Sequence, residues 1–290
     1  MRRPGDQMGI ELAGIKMKNP VMVASGTFGF GEEYAELIDI DQLGAIVTKS
    51  VTLAPRAGNP PPRIVETPAG MLNSIGLQND GLKAFLDTHL PFLAKHDVPV
   101  IVNVAGETVN EYVEVVKALS KESEVDGIEL NISCPNVKKG CMSFGIDPKM
   151  TEELVKAARK VSKKPLIAKL SPNVTDITAI AKAAVGGGAD ALSLINTVMG
   201  MAIDIKSKKP KLAMTTGGLS GPAIKPIAVR MVWQVAQAVK VPLIGIGGIM
   251  TAEDAYEFIL AGAAAVQVGT ANFIDAEAPL KIIKGLKKYL

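Results

Sequence analysis

Short apolar runs alternate with longer amphipathic ones eight times along the chain. The runs at 20–24, 45–48, 98–104, 127–132, 165–170, 191–195, 241–246 and 264–268 have the length and branched-aliphatic content of buried strands. Helical spacing of apolar positions follows each of them, at 32–40, 81–95, 109–121, 152–161, 177–185, 223–239, 252–260 and 276–289. Thr108 with Glu111, and Thr151 and Thr251 each before two acidic residues, read as helix N-caps. Gly186 and Gly262 fit helix C-terminal stops. Eight strand–helix units within about 250 residues predict a (β/α)8 TIM barrel and not an open doubly wound sheet. No linker-like composition interrupts the chain, so a single domain over 1–290 is expected.

The C-terminal ends of the strands are where such a barrel carries its chemistry. Read in order they hold Ser25, Lys49 with Ser50, Asn103, Asn131 with Cys134, Lys169, Asn196 with Thr197, Gly247-Gly248 and Gly269-Thr270. Packing alone does not explain eight consecutive strands that end in polar or glycine residues. Three insertions enlarge the same end, at 51–80, 133–147 and 198–222, the last with a small hairpin expected around 206–210. Together they predict a cover over one pocket.

Each group suggests a chemistry. The glycines of strands seven and eight, with Gly221 before the sixth helix, let backbone N–H groups approach a phosphate. Lys49 and Lys169 bring positive charge to the barrel mouth, suited to an anionic substrate or to a flavin ring that becomes negative on reduction. Asn73, Asn131 and Asn196 offer donors and acceptors to a planar molecule with amide edges. Cys134, at the base of the second insertion, can serve as nucleophile, general base or metal ligand. Strand parity turns Glu129 into the barrel as a buried partner for Lys169. Cys141, Met199 and Met201 read as packing residues. The Lys281, Lys284, Lys287 and Lys288 series reads as the wet face of the last helix.

Composition narrows the class further. A net charge of +3 and 4% aromatic residues supply neither the field nor the stacking platform of a nucleic-acid binder. Two cysteines cannot hold an iron–sulfur cluster alone, and the two histidines lie near one helix far along the chain from them. No protein metal site is therefore expected. No apolar run reaches the roughly eighteen residues of a membrane span, and the first residues lack a signal-peptide core. A soluble, cytoplasmic protein is expected. The Gly29-Phe30-Gly31 turn lacks the strand–helix context of a dinucleotide fingerprint, and no paired carboxylates or Ser/His/Asp set favours hydrolysis.

Several stretches together resemble one family. They are Ala24-Ser25-Gly26-Thr27-Phe28-Gly29-Phe30-Gly31, the 73–79 segment, Asn131-Ile132-Ser133-Cys134-Pro135-Asn136, Lys169-Leu170-Ser171-Pro172-Asn173, Ile195-Asn196-Thr197 and the 217–223 segment. The chain resembles the class 1 dihydroorotate dehydrogenases, and among them the catalytic subunits of the NAD-linked class 1B. The resemblance covers essentially the whole chain. It implies oxidation of dihydroorotate to orotate in pyrimidine synthesis, with FMN bound to this chain. It makes Cys134 the base that removes the C5 proton while hydride leaves C6 for the flavin. It gives FMN contacts to Ser25, Lys49, Ser50, Asn103, Asn131, Lys169, Ile195, Gly221, Gly247, Gly248, Gly269 and Thr270. It gives substrate contacts to Lys49, Asn73, Ser74, Ile75, Gly76, Leu77, Asn131, Asn196 and Thr197. It further implies a partner subunit with FAD and a 2Fe–2S cluster that passes electrons to NAD⁺, around a homodimer core in a heterotetramer. Alternatives are the class 1A fumarate-reducing homodimer, an aldolase-like phosphate enzyme, and a barrel that binds flavin or phosphate without catalysis.

Overall fold

The structure, a computed structural model, describes residues 8–132 and 144–290. Eight parallel strands close a barrel: β1 Val21–Val23, β2 Ala45–Val47, β3 Val100–Val104, β4 Gly127–Asn131, β5 Leu166–Lys169, β6 Ala191–Leu194, β7 Leu243–Ile246 and β8 Ala265–Val268. They stand around the barrel in chain order, and β8 closes on β1 with Val266 opposite Val21 and Val268 opposite Val23. The predicted strands are all present, each of them trimmed by a residue or two at its ends. The outer helices are α1 Glu32–Ala35, α2 beginning as Gly81–Ala84, α3 Val109–Leu119, α4 Pro148–Val161, α5 Ile177–Gly186, α6 Lys225–Ala238, α7 Ala252–Leu260 and α8 Ala278–Leu286. Among the described residues no helix is long and apolar enough to cross a membrane.

Caps account for most helix boundaries. The Thr108 side chain accepts from the Glu111 N–H, and Thr251 and Asp254 cap each other reciprocally, as expected. Thr151 does not cap. Asp147 accepts from the Met150 N–H with Pro148 as the first helical residue, so α4 starts earlier. Thr151 is then buried inside the helix and donates to the Phe144 carbonyl at 2.6 Å. The helix α5 ends at Gly186, as expected, with Gly188 at φ +102° turning the chain away, and Gly262 takes φ +111° just past α7. The helix expected over 32–40 breaks after Ala35, and Asp39 starts a separate short turn, Ile40–Gln42.

Strand alternation sorts the barrel's side chains into two cores. Outward positions such as Val23, Val102, Ile128 and Val266 pack beneath the helices. Inward positions begin apolar at the N-terminal end of the barrel, with Met22, Val47, Ile101, Ile167 and Ile244. A hairpin that precedes β1, Ile10–Leu12 paired with Ile15–Met17, sends Leu12, Ile15 and Met17 into this layer and closes that end. The fit is close: a Cβ on Gly127 would lie 2.7 Å from Ile15 Cδ1. Two residues further along the strands the inward positions turn polar, as Asn103, Glu129, Lys169, Ser193 and Gln267. The barrel thus has a greasy floor and a polar layer above it.

Two of the insertions build a roof over the polar end. Ile64–Thr67 and Gly70–Asn73 come from the first, Val198–Met201 and Thr216–Ser220 from the third. They form one antiparallel sheet in the order 198–201, 216–220, 70–73, 64–67, with Asn73 opposite Gly218. A small hairpin, Ile203–Asp204 with Lys209–Pro210, extends from it where one was expected. Most of the second insertion, including Cys134 and Cys141, lies outside the described residues.

Candidate active site

Between the polar layer and the roof lies a cavity of ≈ 390 Å³. Its walls take in three kinds of surface, each supplied by a different set of strand ends.

The first is a glycine cradle at the ends of β7 and β8. Gly247 and Gly248 adopt φ +129° and +72°, and Gly221 adopts φ +92°. A Cβ on Gly248 would meet the Gly221 carbonyl oxygen at 2.8 Å, and one on Gly221 would meet Gly70 Cα at 2.8 Å. Only glycine backbone fits at this junction, and its N–H groups can come close to a bound anion. Thr270 donates to Ser220 Oγ at 2.8 Å and ties the end of β8 to the roof. Behind the cradle Lys225 is paired with Asp254 (2.6 Å) and Glu257 (2.8 Å), which hold the starts of α6 and α7 together.

The second surface is cationic. Lys169 donates to Ser25 Oγ at 3.0 Å and stands 3.7 Å from the Glu129 carboxylate below it. Lys49 leaves the end of β2, where its own N–H donates to the Gly29 carbonyl at 2.8 Å. Burial holds the Lys49 ammonium below its usual pKa; nearby Asp80 pulls the other way, Arg63 adds to the lowering, and Glu33 opposes it.

The third surface is a row of amides. Asn73 on the roof donates to the Gly218 carbonyl at 3.4 Å. Asn131 at the end of β4 donates to Ser50 Oγ at 3.3 Å, and Asn196 donates to Asn131 Oδ1 at 3.5 Å. The 75–77 backbone completes this wall, with Leu77 held at φ +60°.

Of the residues expected at the site, Ser25, Lys49, Ser50, Asn73, Ile75, Gly76, Leu77, Asn131, Lys169, Ile195, Asn196, Thr197, Gly221, Gly247, Gly248, Gly269 and Thr270 all line this cavity. Two do not. Asn103 lies one layer below, bonded to Ser50 and Glu129, and Ser74 is buried inside the roof. Sequence reasoning missed Arg63, Gln78 and Phe273 on the wall. The Arg63 guanidinium donates to Gln78 Oε1, so the two reach the cavity as a pair. Ile64–Thr67 pairs with Gly70–Asn73 across a Pro68-Ala69 turn, but its Ile-Val-Glu-Thr order has no apolar–polar alternation to mark it as a strand. Among the described residues no group of three or more His, Cys, Asp or Glu side chains is placed to hold a metal ion.

A family model described as dihydroorotate dehydrogenase matches residues 8–290. The dihydroorotate dehydrogenase B (NAD(+)) catalytic subunit of Geotalea uraniireducens is 61% identical over 283 residues, which are 98% of this chain and 93% of that protein. Proteins of the same name from Alkaliphilus metalliredigens and Citrifermentans bemidjiense are 60% and 59% identical, over 98% and 100% of this chain and 93% and 94% of theirs. The matched span takes in the barrel, the roof and all the residues that line the cavity between them, and the chain belongs to the dihydroorotate dehydrogenase family.

Proposed function

We propose that the chain oxidises (S)-dihydroorotate to orotate in pyrimidine synthesis, with FMN bound in the barrel mouth and NAD⁺ as the final acceptor. The observation that carries this reading is one cavity that joins a glycine cradle to two lysines and a row of amides. A flavin mononucleotide fits that donor set. Gly221, Gly247, Gly248, Gly269 and Thr270 would hold its phosphate, and Ser25, Ser50, Lys49, Lys169, Asn131 and Ile195 would surround its ring, backed by Asn103. When bound, FMN supplies the acceptor for the hydride that leaves substrate C6.

This chain's own residues bind and deprotonate the substrate. Lys49, Asn73, Asn131, Asn196 and Thr197, with the 75–77 backbone, hold the dihydropyrimidine ring by its amide edges and its carboxylate. The lowered pKa of Lys49 gives binding a direct benefit, because an incoming carboxylate adds to the partial counter-charge that Asp80 and Glu33 give its half-buried ammonium. Cys134 follows Asn131 by three residues at the exit from β4. As a thiolate it takes the C5 proton, the C5–C6 double bond forms, and the C6 hydride departs. The electrons leave through a partner subunit that carries FAD and a 2Fe–2S cluster, bound to a homodimer of this chain in the cytoplasm.

The test is optical. The purified protein should be yellow and should bleach when dihydroorotate is added without oxygen, with orotate released. Cys134→Ser should keep the flavin but slow bleaching by roughly 10²–10⁴-fold, the usual worth of a general base. Bleaching of that variant at wild-type speed would remove Cys134 from the role, and a wild-type protein that dihydroorotate cannot bleach would sink the substrate.

A further inference from the structure

The amides that face the cavity do not set their own orientation. Glu129 on β4 has 0% exposure, and a carboxylate can only accept hydrogen bonds. Asn103 turns Nδ2 to it at 2.7 Å, which leaves Oδ1 toward Ser50, whose hydroxyl donates to it at 2.5 Å. With its proton committed there, Ser50 Oγ accepts from Asn131 Nδ2 at 3.3 Å. Asn131 therefore presents Oδ1 to Asn196 Nδ2 at 3.5 Å, and Asn196 Oδ1 accepts from the Thr197 N–H at 2.8 Å. A backbone N–H cannot reverse its role. The series thus runs in one direction from Thr197 on the cavity wall to Glu129 beneath it, fixed at both ends. The carboxylate is fully engaged besides: Ser193 and Gln267 donate to its other oxygen at 2.7 and 2.9 Å.

We propose that Glu129 is a positioning residue that sets the donor–acceptor polarity of Asn131, and with it the pairing of Asn131 to Asn196, without touching the substrate. The inference rests on the functional reading above, in which those two amides hold the substrate ring. An amide in place of the carboxylate would offer an N–H where the surrounding donors need a lone pair. Turning Asn103 to relieve that clash would confront the Ser50 hydroxyl with an N–H. The reversal would then pass to Asn131, and a donor would face the ligand where an acceptor had stood. A buried mismatch of this kind costs more than the bond it replaces contributes.

Orotate titrated into the flavin-loaded protein, followed by the change in flavin absorbance, reads this without turnover. Glu129→Gln should weaken orotate binding at least about tenfold, about 1.4 kcal/mol. Adding Asn103→Asp to that variant moves the obligate acceptor one link toward the cavity, where both the new amide and Ser50 can donate to it. The original direction is restored, and affinity should return to within about threefold of wild type. A merely structural role would lower Tm in both variants with no return of affinity. Unchanged affinity in Glu129→Gln, or a double variant no better than the single, overturns the proposal. If the single variant does not fold, the double variant decides: wild-type affinity upholds the proposal and lost affinity ends it. A wild-type protein that does not bind orotate in the same titration strikes the functional reading itself, a distinct result.

Discussion

Lys49 shows how a binding residue costs the empty protein stability. Its pKa is lowered from 10.5, first by burial, so the folded chain holds this proton less tightly than the unfolded chain does. Stability then rises with pH wherever the unfolded state binds more protons, here from the lowered folded value up to 10.5. The penalty is in full force below the lowered folded value and is gone above that window. Lys49→Met should therefore raise the urea midpoint of the ligand-free protein at pH 7, and the gain should vanish as pH passes 10.5. The same variant should lose dihydroorotate affinity. A series of urea unfolding curves across pH checks it; a gain that grows with pH would contradict the assigned cause. Residues such as Lys49, Lys169 and Asn131 were legible because they end buried strands and alternation alone aims them inward. Arg63 and Gln78 were not, because they reach the cavity only through a hairpin whose partner strand is remote in the chain.

Among the elements, the N-terminal hairpin turns a barrel that would otherwise be open at its floor into a closed cup. The contact between Ile15 and Gly127 makes a sharp test of that closure. Gly127→Ala should destabilise the protein by about 1–3 kcal/mol, the usual cost of overpacking. Ile15→Val, which shortens the opposing side chain, should return part of that loss in the double variant. Strictly additive effects in urea unfolding would show that the two residues do not meet. Neither this hairpin nor the roof was read from the sequence as a sheet, and the reason is physical. Barrel strands are apolar on both faces and stand out as continuous runs. Roof strands such as Thr216-Gly217-Gly218-Leu219-Ser220 are short, glycine-rich and partly exposed, and only pairing across the chain makes them strands. The start of α4 was misplaced because the Asp147-Pro148 pair outranks the Thr151 signal in the same stretch.

At the scale of the whole molecule, electrons are the open account. On the reading proposed above, each turnover leaves two of them in the barrel mouth, and two cysteines without a dinucleotide fingerprint argue for their passage to NAD⁺ through a partner subunit. The isolated chain should therefore reduce an artificial dye with dihydroorotate but not NAD⁺, and addition of the electron-transfer subunit should restore NADH formation. Brisk NADH production by the chain alone would remove the need for a partner, and efficient fumarate reduction would place it with the class 1A enzymes.

The roof also limits how this barrel can be altered. In many barrels each loop can be exchanged without regard to the others, because each answers only to its own strand and helix. Here the 70–73 strand hydrogen-bonds to 218–220, and Asn73 and Gly218 are 145 positions apart. A graft that replaced the insertion after β2 alone would leave the strand from the insertion after β6 with an open edge above the cavity. The two insertions are one part in two pieces, and they can be inherited, swapped or redesigned only together.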